Sequence, residues 1–237
     1  MLHGWGMPAS VFEELSEHLA PEFEVTAPDL PGYGAPSCEP YTLESVAGCV
    51  ASQAPPRCFV VGWSLGAQVA LEWARTKPAQ VERLALVGGT PCFVQRADWT
   101  CAMEPTVFES FALALANDPG ATLAHFAALQ AHGDVEARRV TRRLRQAVSA
   151  RALPALEVLQ NGLRMLREDD LRPWLPAIGQ PALVVQGERD RLVPAAAGEY
   201  LARALGDGKL TRVPRRSHAP FVSDARAVAR ALTEFFT

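Results

Sequence analysis

The chain has 237 residues, of which 49% are hydrophobic and 21% charged, and its formal net charge is −3. This length suits one large α/β domain or two small ones, and the composition excludes disordered, collagen-like and coiled-coil proteins. No run of about 18 apolar residues occurs, and residues 1–6 do not resemble a secretion signal. We therefore expect a cytoplasmic protein with no membrane contact.

The spacing of the cysteines and the balance of charges exclude further classes of protein. The five cysteines contain no C-x-x-C pair, so the sequence predicts neither a disulfide framework nor a metal site. The near-neutral balance argues against nucleic-acid binding. The 23 basic residues include only two lysines, Lys77 and Lys209, so any arginine cluster must be judged against an arginine-rich composition.

Short apolar runs alternate with helical periods, which is typical of a mostly parallel sheet flanked by helices. The strand candidates are apolar and only four to six residues long, as strands buried on both faces should be. They cover residues 23–27, 58–61, 84–87, 182–186 and 209–213. Helical faces are predicted from Val11, Phe12, Leu15 and Leu19, from Val69, Leu71 and Trp73, and over residues 195–205 and 224–236.

One stretch breaks this alternation. Residues 91–171 contain no strand candidate and predict four helices, over residues 107–116, 122–131, 135–149 and 156–167. An insertion of this length between two strands is too long for a linker. We therefore predict an α/β core formed by residues 1–90 and 172–237, with a helical cap over residues 91–171.

The segment Gly62-Trp63-Ser64-Leu65-Gly66 places G-x-S-x-G directly after an apolar strand and directly before a helix. This context is typical of a nucleophile elbow, in which a serine on a strained turn projects its hydroxyl from the sheet edge. The flanking positions must be glycine because side chains there would collide with neighbouring backbone. An ordinary Gly-Ser turn is the alternative, and the surrounding strand and helix favour Ser64 as a nucleophile.

A serine nucleophile needs a base and an orienting acid, which follow it in the order acid, then histidine. Asp190 follows a strand candidate, and Glu188, closer to that strand, is the rival carboxylate. His218 is the only one of the five histidines in a loop after a strand. The sequence therefore predicts a triad of Ser64, Asp190 and His218.

Acyl transfer also needs N–H donors aimed at the developing oxyanion. The N–H of Leu65, directly after the serine, is one candidate, and the N–H of Trp5 in the early H-G-W-G loop (residues 3–6) is the other. We also expect Trp5 and Trp63 to wall the acyl site, with packed core aromatics as the alternative. This chemistry requires no metal and no organic cofactor.

With H-G-W-G, D-L-P-G-Y-G (residues 29–34), G-W-S-L-G and the late Asp and His in register, the chain resembles the α/β-hydrolase superfamily over nearly its whole length. More narrowly, P-C-F (91–93), F-A-A-L-Q (126–130) and H-A-P-F (218–221) are similar to motifs of the pimeloyl-[acyl-carrier protein] methyl ester esterases of biotin synthesis. The resemblance implies an α/β-hydrolase fold and a serine esterase. In that family the enzyme removes the methyl ester from a pimeloyl chain attached to its carrier protein.

The resemblance also implies roles for residues: Ser64, Asp190 and His218 as the triad, and Trp5 and Leu65 as oxyanion and substrate contacts. The cap wall along the acyl chain is expected from Phe126, Ala127, Ala128, Leu129 and Gln130, with Trp63 and Leu192 lining the same tunnel. Two departures stand out: Ala67 replaces a glycine of many relatives, and only Met1 and Leu2 precede the H-G-W-G loop. We therefore expect the N-terminal strands of the sheet to be missing.

Residues 137–156 contain six arginines and no acid, so this window carries +6 while the rest of the chain sums to −9. Arg138, Arg142 and Arg145 share a helical face. Such a face would attract an acidic carrier protein bearing a phosphopantetheine phosphate, and a solvated face in an arginine-rich chain is the alternative. In the family, cap arginines serve the carrier protein, so Arg138 and Arg142 are implied as contacts to an acyl-carrier protein. We expect a monomer.

The predicted reaction is a two-step ester hydrolysis through an acyl-enzyme. The nearest alternatives are a general short-chain carboxylesterase, a thioesterase or a carbon-carbon bond hydrolase of the same fold. A haloalkane dehalogenase is disfavoured because it needs Asp at the position of Ser64. A ligand receptor with residual hydrolase activity is the alternative from another class.

Overall fold

The computed structural model describes residues 1–237, and its centre is a parallel sheet of four strands in the order β1-β2-β3-β4. The strands span Cys58–Trp63 (β1), Val81–Val87 (β2), Ala182–Gly187 (β3) and Gly208–Val213 (β4). The helices are α1 (Glu13–Leu19), α2 (Leu43–Gln53), α3 (Leu65–Thr76), α4 (Pro105–Asn117), α5 (Pro119–Gln130), α6 (Ala137–Ser149), α7 (Leu156–Glu168), α8 (Ala195–Ala204), α9 (Pro220–Ser223) and α10 (Ala225–Phe236). Four of the five predicted strands are confirmed, as are the four helices predicted between β2 and β3.

The predicted strand over residues 23–27 is wrong. These residues join no strand ladder: the Phe23 N–H bonds back to the Leu19 carbonyl at 3.0 Å, and the Met1 amine donates to the Thr26 carbonyl at 2.5 Å. A strand needs a backbone partner along its length. The start of the chain pairs with β1 through one isolated parallel β-bridge, between Leu2 and Gly62. No strand precedes β1.

The expectation that every strand is buried on both faces is wrong for β4. This strand pairs only with β3, so it lies at the edge of the sheet. Its Lys209 and Arg212 are exposed, whereas every residue of β3 is buried. Charged side chains on an edge strand protect its free backbone groups from pairing with another chain.

Helices α4 to α7 share the hydrophobic core of the sheet. One continuous cluster of 70 buried residues includes Leu84 of β2 and Val184 of β3 as well as Leu123 of α5 and Leu159 of α7. The inserted helices therefore belong to the same hydrophobic core as the sheet. No helix is long and apolar enough to span a lipid bilayer.

Candidate active site

Ser64 occupies the sharp turn between β1 and α3. Its backbone has φ +56° and ψ −118°, a conformation that non-glycine residues rarely adopt. A Cβ on Gly62 would collide with the backbone of Gly66, and a Cβ on Gly66 would collide with the carbonyl of Leu2. Both flanking positions therefore require glycine, for the steric reason that the sequence motif suggested.

His218 lies in the loop between β4 and α9, where its Nδ1 is 2.8 Å from Oδ2 of Asp190. The two side chains are 1% and 0% exposed. Asp190 comes three residues after β3, and its Oδ1 accepts 2.9 Å hydrogen bonds from the backbone N–H groups of Leu192 and Val193. A carboxylate held by backbone donors in this way is a fixed acceptor for the histidine.

The rival carboxylate, Glu188, does not contact His218. Its side chain is exposed and accepts a hydrogen bond from the N–H of Arg215 at 3.0 Å. The structure thus brings together Asp190 and His218, and it places Glu188 at the surface.

The second ring nitrogen of His218, Nε2, is buried and has no hydrogen-bond partner in the protein. His218 and Ser64 line the same cavity. A base for Ser64 must present an acceptor nitrogen toward the serine hydroxyl. The arrangement leaves Nε2 available for that role, because Nδ1 is engaged by Asp190.

The walls of this cavity are almost entirely apolar. They come from the H-G-W-G loop, from helices α4, α5 and α7, and from the loop after β3, and they include Trp5, Phe111, Phe126, Leu129, Leu163 and Leu192. Apart from Ser64 and His218, every lining residue is hydrophobic. Such a cavity suits a hydrocarbon chain and disfavours a charged group, which would lose its hydration there.

Only some residues of the segment 126–130 line the cavity. Phe126 and Leu129 line it, while Ala127 and Ala128 do not. Residues three apart share a helix face, and the two alanines lie on other faces of α5. Gln130 lies outside the cavity as well, and its carbonyl accepts hydrogen bonds from the N–H of His218 at 3.2 Å and from Oγ of Ser217 at 2.8 Å.

Trp63 does not line the cavity, contrary to the expectation that it walls the acyl site. Its indole packs in the core against Phe12 and Phe221, and Nε1 donates to the carbonyl of His218 at 2.9 Å. The side chain is fully buried. Trp63 therefore helps to hold the backbone of the His218 loop through this hydrogen bond.

The H-G-W-G loop is fixed by buried hydrogen bonds. His3 donates from Nδ1 to the Gly4 carbonyl at 2.9 Å and accepts at Nε2 from the Leu30 N–H at 2.8 Å. Burial lowers the pKa of His3 to about 4, against the opposing effect of its bond to Gly4, so the ring is neutral near pH 7. The N–H of Trp5 has no acceptor in the protein, and the N–H of Leu65 opens α3, where no earlier turn offers a carbonyl.

The arginines of α6 divide into two sets. Arg139 pairs with Glu136 at 3.4 Å, and Arg143 pairs with Glu14 of α1. Beyond the helix, Arg151 pairs with Asp29 at 2.5 Å. The remaining three have no acidic partner and line one shallow groove: Arg138, Arg142 and Arg145. We call these three residues the basic face.

A model of the alpha/beta hydrolase family matches residues 1–231. The chain belongs to this family. The pimeloyl-[acyl-carrier protein] methyl ester esterase of Stenotrophomonas maltophilia is 43% identical to this hydrolase, over 99% of this chain and 91% of the relative. The esterase of the same name from Nitrosomonas europaea is 39% identical, over 94% of this chain and 89% of the relative.

Solved structures agree on the fold. A bromoperoxidase from Bacillus anthracis superimposes on this hydrolase with a TM-score of 0.88 at 18% identity, over 99% of this chain and 90% of the other. An esterase from Exiguobacterium antarcticum gives 0.84 at 19% identity with the same coverage. At these identities the likeness establishes the fold alone. The predicted α/β-hydrolase fold and family resemblance are confirmed.

Two supporting residues of this hydrolase were not identified from the sequence. Gln186 of β3 donates from Nε2 to Oδ2 of Asp190 at 3.2 Å, the oxygen that His218 also approaches. Tyr33 accepts the N–H of Gly6 at 3.0 Å and so holds the loop of Trp5. A glutamine at the end of an otherwise apolar strand was the available signal for the first, and the D-L-P-G-Y-G motif for the second.

Proposed function

We propose that this hydrolase is a serine carboxylesterase that works through an acyl-enzyme. The observation that carries the proposal is that Ser64, on a strained turn, and His218, bonded to Asp190, line one apolar cavity. Oγ of Ser64 attacks the ester carbonyl while Nε2 of His218 takes its proton. Asp190 holds the imidazole in position and stabilises its protonated form.

The N–H groups of Trp5 and Leu65 donate to the oxyanion of the tetrahedral intermediate. The intermediate collapses with departure of the alcohol, which takes the proton from His218. Water then attacks the acyl-enzyme with His218 again acting as base, and the acid product leaves Ser64 restored. Each N–H donor contributes on the order of 3 kcal/mol of transition-state stabilisation in sites of this kind.

The substrate is the methyl ester of a pimeloyl chain carried on an acyl-carrier protein, and the products are methanol and the free carboxylate. The relatives at 39–43% identity carry that activity in their names. The cavity favours it, because a neutral ester and its methylene chain can pack against Phe111 and Leu163, whereas the carboxylate product would be desolvated there. Product release is thereby favoured, and the reaction serves biotin synthesis.

Residues 91–171 act as a cap over a core formed by residues 1–90 and 172–237. Helices α4, α5 and α7 supply most of the cavity wall, so the cap encloses the acyl chain. The acyl-carrier protein docks on the basic face, where Arg138 and Arg142 have no acid to neutralise them. Unpaired cations steer an acidic partner more strongly than paired ones.

Growth without biotin tests this proposal in a bacterial strain that lacks its own pimeloyl methyl ester esterase. The wild-type gene should restore growth, and the Ser64→Ala gene, expressed at the same level, should not. Failure of a well-expressed wild-type protein that still hydrolyses short esters would instead support a general short-chain esterase.

A further inference from the structure

The turn between α5 and α6 (residues 130–136) is bonded to the loop that carries His218. The Gln130 carbonyl accepts the N–H of His218 at 3.2 Å, and the N–H of Val135 donates to the Arg215 carbonyl at 3.2 Å. The inserted helices therefore touch the chain on both sides of Ser217. These contacts join the cap to the candidate base through the backbone.

At the centre of this junction lies Asp134, whose side chain is fully buried. Its Oδ2 accepts the N–H of Ser217 at 2.9 Å and lies 3.3 Å from Oγ of the same residue. Its Oδ1 accepts the N–H of Glu136 at 2.8 Å and lies 3.7 Å from Nη1 of Arg216. A buried carboxylate is costly unless it is hydrogen-bonded, and here half of its bonding goes to the residue that precedes His218.

We propose that Asp134 is a positioning residue for the reaction, which fixes the backbone of His218 through Ser217. The inference rests on the proposed role of His218 as the base. Asp190 fixes the imidazole only at Nδ1, so the direction of Nε2 toward Ser64 also depends on where the backbone of residue 218 is held. Asp134 and the Gln130 carbonyl supply that constraint from the cap side of the site.

The consequence is that the cap takes part in placing the base as well as in enclosing the substrate. Asp134 is three residues before α6, the helix that bears the basic face. The cavity-lining residues Phe126 and Leu129 lie on the preceding helix, α5. The buried carboxylate of Asp134 therefore lies at the junction of α5, which lines the cavity, α6, which bears the basic face, and the loop that carries His218.

The test compares Asp134→Ala with Asp134→Asn on p-nitrophenyl acetate, a small ester that does not need the carrier protein. Misplacing a catalytic group by about 1 Å can cost up to about 100-fold in rate. We expect the alanine variant to lose about 10- to 100-fold in kcat with KM within about threefold. The asparagine variant, which keeps an acceptor oxygen for Ser217, should recover to within about fivefold of wild type. Glu136→Gln, an exposed acid two residues away, is the matched control and should behave as wild type.

The rate at which a fluorophosphonate labels Ser64 supplies a second readout, since it depends on activation of the serine and not on substrate binding. It should fall by the same factor as kcat in Asp134→Ala. A folded Asp134→Ala protein with kcat within twofold of wild type overturns the proposal. So does an asparagine variant as inactive as the alanine variant, because the acceptor oxygen would then not be what matters.

If Asp134→Ala does not fold, Asp134→Glu tests the same contact. It keeps the carboxylate but lengthens the side chain by one methylene, which displaces the oxygen that accepts the Ser217 N–H. We expect a severalfold loss of kcat with KM unchanged, and full activity overturns the proposal. His218→Ala separates the two levels: if it stays active, the proposed base is wrong, whereas an inactive His218→Ala beside a fully active Asp134→Glu overturns the positioning role alone.

Discussion

Nδ1 of His218 donates a 2.8 Å hydrogen bond to Oδ2 of Asp190, and water reaches neither side chain to any extent. Because an ionised carboxylate can only accept, this bond places the hydrogen of the neutral ring on Nδ1. Nε2 is then an acceptor, as a base for Ser64 must be. The bond therefore fixes both the tautomer and the orientation of the His218 ring.

Asp190→Asn should lower kcat for ester hydrolysis on the order of 10³- to 10⁴-fold, because the amide can donate to Nδ1 and would stabilise the wrong tautomer. Steady-state kinetics on a soluble ester measures the loss. The control is Glu188→Gln, at the exposed rival carboxylate, which should keep wild-type activity. A large loss in the Glu188 variant with none in the Asp190 variant would reverse the assignment.

Gly62→Ala should destabilise the protein by at least about 2 to 3 kcal/mol, because the new Cβ would collide with the backbone of Gly66. Urea unfolding followed by circular dichroism measures the change. Gly48→Ala provides the opposite case, since Gly48 lies in α2 with open space around it. That variant should gain about 0.5 to 1 kcal/mol from helix propensity. Equal stability of the two variants would contradict the packing at the elbow.

Acid should destabilise the fold partly through His3. Burial lowers the pKa of His3 to about 4, whereas in the unfolded chain it titrates near 6.5. The unfolded state therefore binds a proton between these pH values that the native state does not. The contribution to stability is full above about pH 6.5 and falls by about 3 kcal/mol as the pH drops to 4.

The measurement is the free energy of unfolding of wild type and His3→Gln at several pH values from 7.5 to 4. Glutamine does not titrate, so the variant should lose less stability over this range even if it is less stable at pH 7.5. Parallel pH profiles for the two proteins would show that His3 is not the group responsible.

Arg138→Glu combined with Arg142→Glu should raise KM for the carrier-bound ester about tenfold or more, since both charges are reversed on a face with no acidic partner. The kinetics on p-nitrophenyl acetate should be unchanged. Arg226→Glu reverses an exposed charge on α10 and serves as the control. Equal losses on both substrates would mean that the basic face is structural.

Much of the fold follows from local sequence pattern. Strands β1 to β3 and the four inserted helices are encoded by apolar runs and helical periods within each segment, and those predictions hold within a few residues. The strand over residues 23–27 fails because a ladder depends on a partner elsewhere in the chain, which an apolar run does not encode. The edge position of β4 is set by sheet order in the same way.

The candidate site shows the same limit. The positions of Ser64, Asp190 and His218 at three strand ends were predictable, because parallel strands direct their carboxyl ends to one edge. The position of the Trp63 side chain was not predictable, since it depends on the side of the sheet on which the side chain packs. Asp134 gave no signal because the contact on which its proposed role depends is with the N–H of Ser217, which lies 83 residues further along the chain.

Hydrolysis of a carrier-bound pimeloyl methyl ester at Ser64 is the reaction on which the proposed function depends. The most direct measurement is methanol release from pimeloyl-[acyl-carrier protein] methyl ester by the wild-type protein and by Ser64→Ala. We predict multiple turnovers by the wild type and a loss of several orders of magnitude in the folded alanine variant. Methanol release by the Ser64→Ala protein at the wild-type rate, or none from the wild type while it hydrolyses p-nitrophenyl acetate, would contradict the account.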